Sequence, residues 1–344
     1  MKKLNDRKKK INFEGIQILR MLLSLWIVLI HCCKIRNRIL IILLINHPFH
    51  VPIFFIISFY FFYDKIYFRS LNKIKIRFER LLLPYIIFPI IILLLNNVFF
   101  VEVNLNSPYR KLTFFDFVNQ LIFGFGIHDI FWFQFFVVFL SVFFLIIEFI
   151  CKNNFLFILQ LMLIICYVLQ YSDIVYKYFI KFKEKSYRCF GTIIEIIPYT
   201  VTGFTLASYN LINKTNKSKE KKKIIFAIII ILFFIEKYNI IRSSRGFRYP
   251  GIDQNVGGIC LIIFFSFITF TKKPIFLFIF KHITNYTGGV YYLHIVVMNI
   301  LKKKISFIGN KTFLGGFIIY IICYFVCFIG MKIFGNTKLK NLFY

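Results

Sequence analysis

Apolar runs long enough to cross a lipid bilayer recur from one end of this chain to the other. Crossing the hydrocarbon core takes about 20 apolar residues in a helix. By that rule the sequence predicts ten spans, near 15–33, 41–63, 82–101, 131–150, 155–171, 191–211, 224–241, 256–271, 286–301 and 313–334. The segment at 224–241 is the weakest, because only Ile224–Ile235 is continuously apolar. The gaps are too short for a large soluble domain. Of the 344 residues, 59% are hydrophobic and 49 are Phe, more apolar surface than a soluble fold of this size hides from water. The predicted class is an all-α integral membrane protein, a bundle of about ten transmembrane helices. Its organisation reads as a basic N-terminus at 1–13, a transmembrane domain at 14–335 and a C-terminal tail at 336–344. The first apolar run reads as a retained span, since it has no small-residue cleavage site and carries Arg20 and His31.

Charge sets the orientation. Lys+Arg number 44 against 14 Asp+Glu, a net charge of +30. Lys, Ile, Phe and Asn are inflated together, so much of the Lys is loop filler, and no basic stripe sits on a soluble fold that would take nucleic acid. With the N-terminus in the cytoplasm, inner segments hold 24 Lys/Arg and outer loops 18. That sign fits the positive-inside rule and predicts a cytoplasmic N-terminus in a multi-pass protein of the cell (inner or plasma) membrane. The triplet Lys302–Lys304 runs against it. The eight cysteines form no C-x-x-C pair; they read as small core residues, with neither a disulfide framework nor a metal site.

The first span carries the most chemistry. In GIQILRMLLSLWIVLIHCC, eleven steps of about 100° separate Arg20 from His31, so the two share a helix face about 16 Å apart. Gln17 and Ser24 fall near the same face. Ionisable side chains at this depth usually point into a bundle interior or a wet cavity. Residues 64–80 read as a basic inner loop ending Arg77-Phe-Glu-Arg80. On a helix Lys73, Arg77 and Arg80 share a face, a pattern suited to phosphate. In Asn46-His47-Pro48-Phe49-His50-Val51-Pro52 the prolines predict a helix break near the outer side. Phe114–Phe125 reads as a segment lying on the membrane surface. His128-Asp129 and Trp132-Phe133 open one span, as at an aromatic belt. Thr287, Tyr291 and His294 share one side of another.

Taken in order, these residues resemble the acyltransferase-3 family of integral-membrane O-acyltransferases. The resemblance rests on Arg20 and His31, Val51-Pro-Ile-Phe-Phe-Ile-Ile-Ser58, Arg77-x-x-Arg80 with Pro84-Tyr85, Phe131-Trp132-Phe133, Ile197-Pro198 with Gly203-Phe204, and Tyr291-Tyr292-Leu293-His294. It runs from about residue 12 to 334. It implies transfer of an acyl group, acetyl by default, from acyl-CoA as co-substrate to a hydroxyl of a lipid-linked or cell-surface carbohydrate, with no bound cofactor. His31 would act as general base or carry the acyl group, and Arg20 would stabilise charge or position the donor. Arg77 and Arg80 would hold the donor phosphates. Gln17, Ser24, Ser58, Trp132, Tyr291 and His294 would line the substrate cavity. Where the family pattern has glycine after Ser58, this chain has Phe59, a bulk that works against close helix packing. Two other readings compete: a glycan or lipid carrier, and a non-catalytic membrane partner. A carrier commonly shows paired repeats, and no repeat is visible here.

Overall fold

The computed structural model describes residues 13–32, 50–98, 112–127, 131–171, 185–208, 252–266, 284–301 and 313–343. The described residues hold ten α-helices and no strand. In chain order these are α1 (Phe13–Cys32), α2 (His50–Tyr67), α3 (Leu71–Val98), α4 (Phe114–Phe123), α5 (Trp132–Cys151), α6 (Phe155–Tyr171), α7 (Lys185–Ser208), α8 (Ile252–Ser266), α9 (Thr287–Leu301) and α10 (Phe313–Phe334). Five are long and apolar enough to cross a membrane: α1, α3, α5, α7 and α10. The span read at 224–241, together with His47, His128, Asp129 and Lys302–Lys304, lies outside the described residues.

Large apolar side chains face outward. Leu94, Phe149, Phe157 and Ile333 are all exposed. An apolar surface this extensive needs lipid or another apolar cover. Helix α4 is inside-out by soluble standards: Asp116, Asn119 and Gln120 are buried while Phe114, Phe115 and Ile122 are exposed. Thr113 caps it. Thr113 Oγ1 accepts from the Asp116 N–H at 3.2 Å, and the Thr113 N–H returns a bond to Asp116 Oδ2 at 3.0 Å, a reciprocal capping box. Gly124, at φ 74, ends the helix.

The chain divides into two compact units. The first comprises residues 1–21, 47–70 and 147–284. In it α2 packs on α7 and α8, and α7 packs on α6. Gly203 permits the α2–α7 approach: a Cβ there would stand 2.5 Å from the Ile56 carbonyl oxygen and 2.9 Å from the Tyr60 nitrogen. The expected cost of Phe59 is therefore not met at this crossing. Phe59 is fully buried, and its ring lies 5.4 Å from that of Phe204, edge to face. The room that a glycine would give on α2 is supplied by Gly203 on α7.

Pro198 lies inside α7 and has no N–H for the Ile194 carbonyl four residues back. Gln170 of α6 replaces that donor, its Nε2 standing 2.9 Å from the Ile194 oxygen. Asn255 of α8 donates to the Tyr167 hydroxyl at 2.8 Å, and the Tyr199 hydroxyl donates to Gln254 Oε1 at 3.1 Å. These polar contacts tie α6, α7 and α8 together where helix-bonded backbone alone would leave a gap in a non-aqueous interior.

The second unit comprises residues 22–46, 71–146 and 285–344. It holds α3, α4, α5, α9 and α10. A core of Phe88, Phe131 and Tyr292 runs through it: the Tyr292 ring is stacked with Phe88 at 4.9 Å and with Phe131 at 6.0 Å. The Tyr85 hydroxyl donates to the Gln120 carbonyl, joining α3 to α4. Gly289 lets α9 approach both α10 and the chain end: a Cβ there would meet Cys327 Sγ at 2.5 Å and Phe343 at 3.0 Å. Residues Lys338–Leu342 form a 3-10 turn in which Asn341 and Leu342 are buried. Lys338 pairs with Glu79 of α3 at 3.6 Å.

One expectation is corrected here. Residues 64–80 are not a loop, because α2 runs to Tyr67 and α3 begins at Leu71. Between them Arg69 takes φ 46, with the Ser70 N–H bonded to the Lys65 carbonyl at 3.1 Å, the close of a helix on a left-handed residue. Pro52 sits in the first turn of α2, where its missing N–H has no intrahelical acceptor to serve; Pro48 lies outside the described residues.

Candidate functional site

Helix α1 carries Glu14 in its first turn and His31 in its last. It carries Gln17, Arg20, Ser24 and His31 in one continuous helix, so their shared stripe follows from the helical repeat of about 3.6 residues. Gln17, Arg20 and His31 are partly buried and Ser24 is buried. Residues up to Met21 belong to the first unit and those from Leu22 to the second. Each end of the stripe is therefore described with its own unit.

In the second unit His31 meets His294 of α9. Their ring centres are 5.4 Å apart and the planes are inclined by 40°. His294 is wholly buried, and its Nδ1 is 3.3 Å from the Val290 carbonyl. The Tyr291 ring lies 6.2 Å from His294 and 5.7 Å from Phe133 of α5. Two turns back along α1, Ser24 Oγ is 3.3 Å from the Tyr320 hydroxyl of α10. Trp132 is buried at the start of α5, with its ring 6.0 Å from Phe136. Tyr320 is a partner that the sequence reading missed; a single hydroxyl in an apolar run carries no pattern.

At the start of α3 the basic side chains diverge. Lys73 and Arg80 are exposed, whereas Arg77 is buried. Their spacing keeps the three on one side of α3, where only Arg77 is covered. Arg77 Nη2 donates to Ser141 Oγ of α5 at 3.4 Å, and Ser141 donates in turn to the Val137 carbonyl at 2.6 Å. Gln134, two turns earlier on α5, donates to the Leu81 carbonyl at 2.8 Å, near Pro84 inside α3. Ser141 and Gln134 were not singled out in the sequence either.

In the first unit Ser58 is partly buried on α2, one residue before Phe59. Among the described residues no group of three or more His, Cys, Asp or Glu side chains is placed to hold a metal ion.

A scan against protein-family models matches Acyl_transf_3, an acyltransferase domain, over residues 13–332. The chain belongs to the acyltransferase-3 family. The match begins at the first residue of α1 and ends two residues before the end of α10, so it takes in all ten described helices. No curated protein and no solved structure matches the chain. Family membership and the five apolar helices together make this a membrane acyltransferase by class.

Proposed function

We propose that the protein transfers an acyl group, acetyl in the simplest case, from acyl-CoA to a hydroxyl of a lipid-linked or cell-surface carbohydrate. The observation that carries this reading is the α1 stripe, with a guanidinium and an imidazole three turns apart in a chain of this family. The N-terminus is assigned to the cytoplasm. Arg20 then lies toward the donor side and His31 toward the opposite face of the cell (inner or plasma) membrane.

His31 is the general base. Its lone pair takes the proton of the acceptor hydroxyl as that oxygen attacks the thioester carbonyl. When the tetrahedral intermediate collapses, the C–S bond breaks and the same proton passes to the leaving thiolate. Arg20 stands about 16 Å along α1 from His31, too far for both to touch one carbonyl. Its role is to hold the donor. Arg77 and Arg80 serve the donor phosphates, Arg80 from an exposed position and Arg77 from its seat at Ser141. Ser24, Trp132, Tyr291 and His294 face substrate within the unit that holds His31. Gln17 and Ser58 do the same in the unit that holds Arg20.

The reading is tested by giving membranes that contain the protein labelled acetyl-CoA or longer acyl-CoA, with and without a glycan acceptor. Acceptor-dependent loss of the thioester supports it. Glycan translocation with the thioester left intact would replace it with a carrier.

A further inference from the structure

His294 is wholly buried on α9, and its Nδ1 lies 3.3 Å from the Val290 carbonyl one turn back. A carbonyl oxygen only accepts, so Nδ1 carries the proton and the neutral ring keeps its lone pair on Nε2. The centre of the His31 ring is 5.4 Å away. A ring nitrogen stands about 1.1–1.2 Å from its ring centre, so two nitrogens facing along this line meet at about 3.1 Å, within hydrogen-bond range. The rings are inclined by 40°, which a modest rotation about the His31 side chain accommodates. Catalytic hydrogen bonds often close only when substrate binds.

We propose that His294 is the positioning residue for His31. In the working complex the N–H of His31 donates to Nε2 of His294, which leaves the other His31 nitrogen with its lone pair toward the acceptor hydroxyl. The inference rests on the reading of His31 as general base. During the step His31 gains the hydroxyl proton as the new C–O bond forms, and loses it to the thiolate as the C–S bond breaks. His294 exchanges no proton; it holds the imidazolium by one hydrogen bond. A carboxylate does this in hydrolase triads. A neutral imidazole with its tautomer set by a helix carbonyl does it without placing a negative charge in an apolar bundle. Tyr291, packed between His294 and Phe133, keeps the second ring from turning away.

Two variants of the full-length protein separate this role from mere packing. His294→Gln keeps an acceptor oxygen at about the reach of Nε2. His294→Asn keeps the donor to Val290 but falls short of His31. The expected result is a kcat about 100-fold lower for Asn with KM for donor and acceptor within about twofold, and recovery to within about tenfold of native for Gln. Equal losses in both variants, or none in Asn, would overturn the proposal. A second readout needs no turnover. The spectrum of 15N-histidine-labelled protein in micelles is expected to show His294 protonated at Nδ1, and the His31 tautomer population shifted by His294→Asn. A His294 protonated at Nε2, or a His31 signal indifferent to the variant, would overturn it. If the native protein moves no acyl group at all, the general-base reading fails, while the spectrum still decides whether the two imidazoles are coupled.

Discussion

At the residue scale, the proposed chemistry rests on a few polar side chains among apolar helices. Arg77 is the clearest case for substitution. Its guanidinium is buried against Ser141, so a lysine cannot reproduce its planar fork. Arg77→Lys is expected to raise KM for acyl-CoA about tenfold, as read in steady-state kinetics, and Arg80→Ala less, because an exposed cation shares its work with water and salt. Gly203 is the matching case for stability. A valine there meets the Ile56 and Tyr60 backbone, so Gly203→Val is expected to cost about 2–3 kcal/mol, measured by thermal unfolding in detergent. What could be read from the sequence at this scale was the α1 stripe, because a helix fixes the geometry of residues within it. The contact of His31 with His294 was not legible. Those residues lie in helices far apart in the chain, and only tertiary packing brings their rings together. Ser141, Gln134 and Tyr320 escaped for a related reason: each is a lone polar residue in an apolar run, and only its partner gives it meaning.

At the element scale, helices α5, α6 and α10 begin and end within a residue of the spans read from the sequence. Their apolar runs are bounded by charged, polar or glycine residues, so hydropathy and helix length agree. Helix α3 shows where that logic stops. Half of its first ten residues, Leu71–Arg80, are charged, and the stretch reads as a loop by hydropathy. Leu, Lys, Arg and Glu are nevertheless good helix formers, and the helix runs straight through them. The Pro198 break in α7 makes a second test. Gln170→Leu leaves the Ile194 carbonyl unpaired and is expected to cost about 1–3 kcal/mol. In a Pro198→Ala background the restored N–H serves that carbonyl, so the same substitution is expected to cost about 1 kcal/mol less. A double-mutant cycle on unfolding in detergent reads the difference. Equal costs in the two backgrounds would mean that Gln170 does not stand in for the missing donor.

At the scale of the whole molecule, the outward apolar residues, the inside-out α4 and the five long apolar helices all fit a protein whose surroundings are lipid. The protein is expected to stay with the membrane through alkaline carbonate extraction. A reporter fused before Phe13 is expected to be active on the cytoplasmic side only; activity on the outer side would reverse the assignment of donor and acceptor faces. The family gives the reaction class to the molecule as a unit, and the α1 stripe names the group asked to carry it out. Native and His31→Ala proteins, matched for amount and folding, can be compared in one assay for passage of label from acetyl-CoA to a glycan acceptor. The native protein should label the glycan, and the alanine variant should fall by at least about 100-fold, the usual contribution of a positioned base. Undiminished labelling by the variant would contradict the account at its centre.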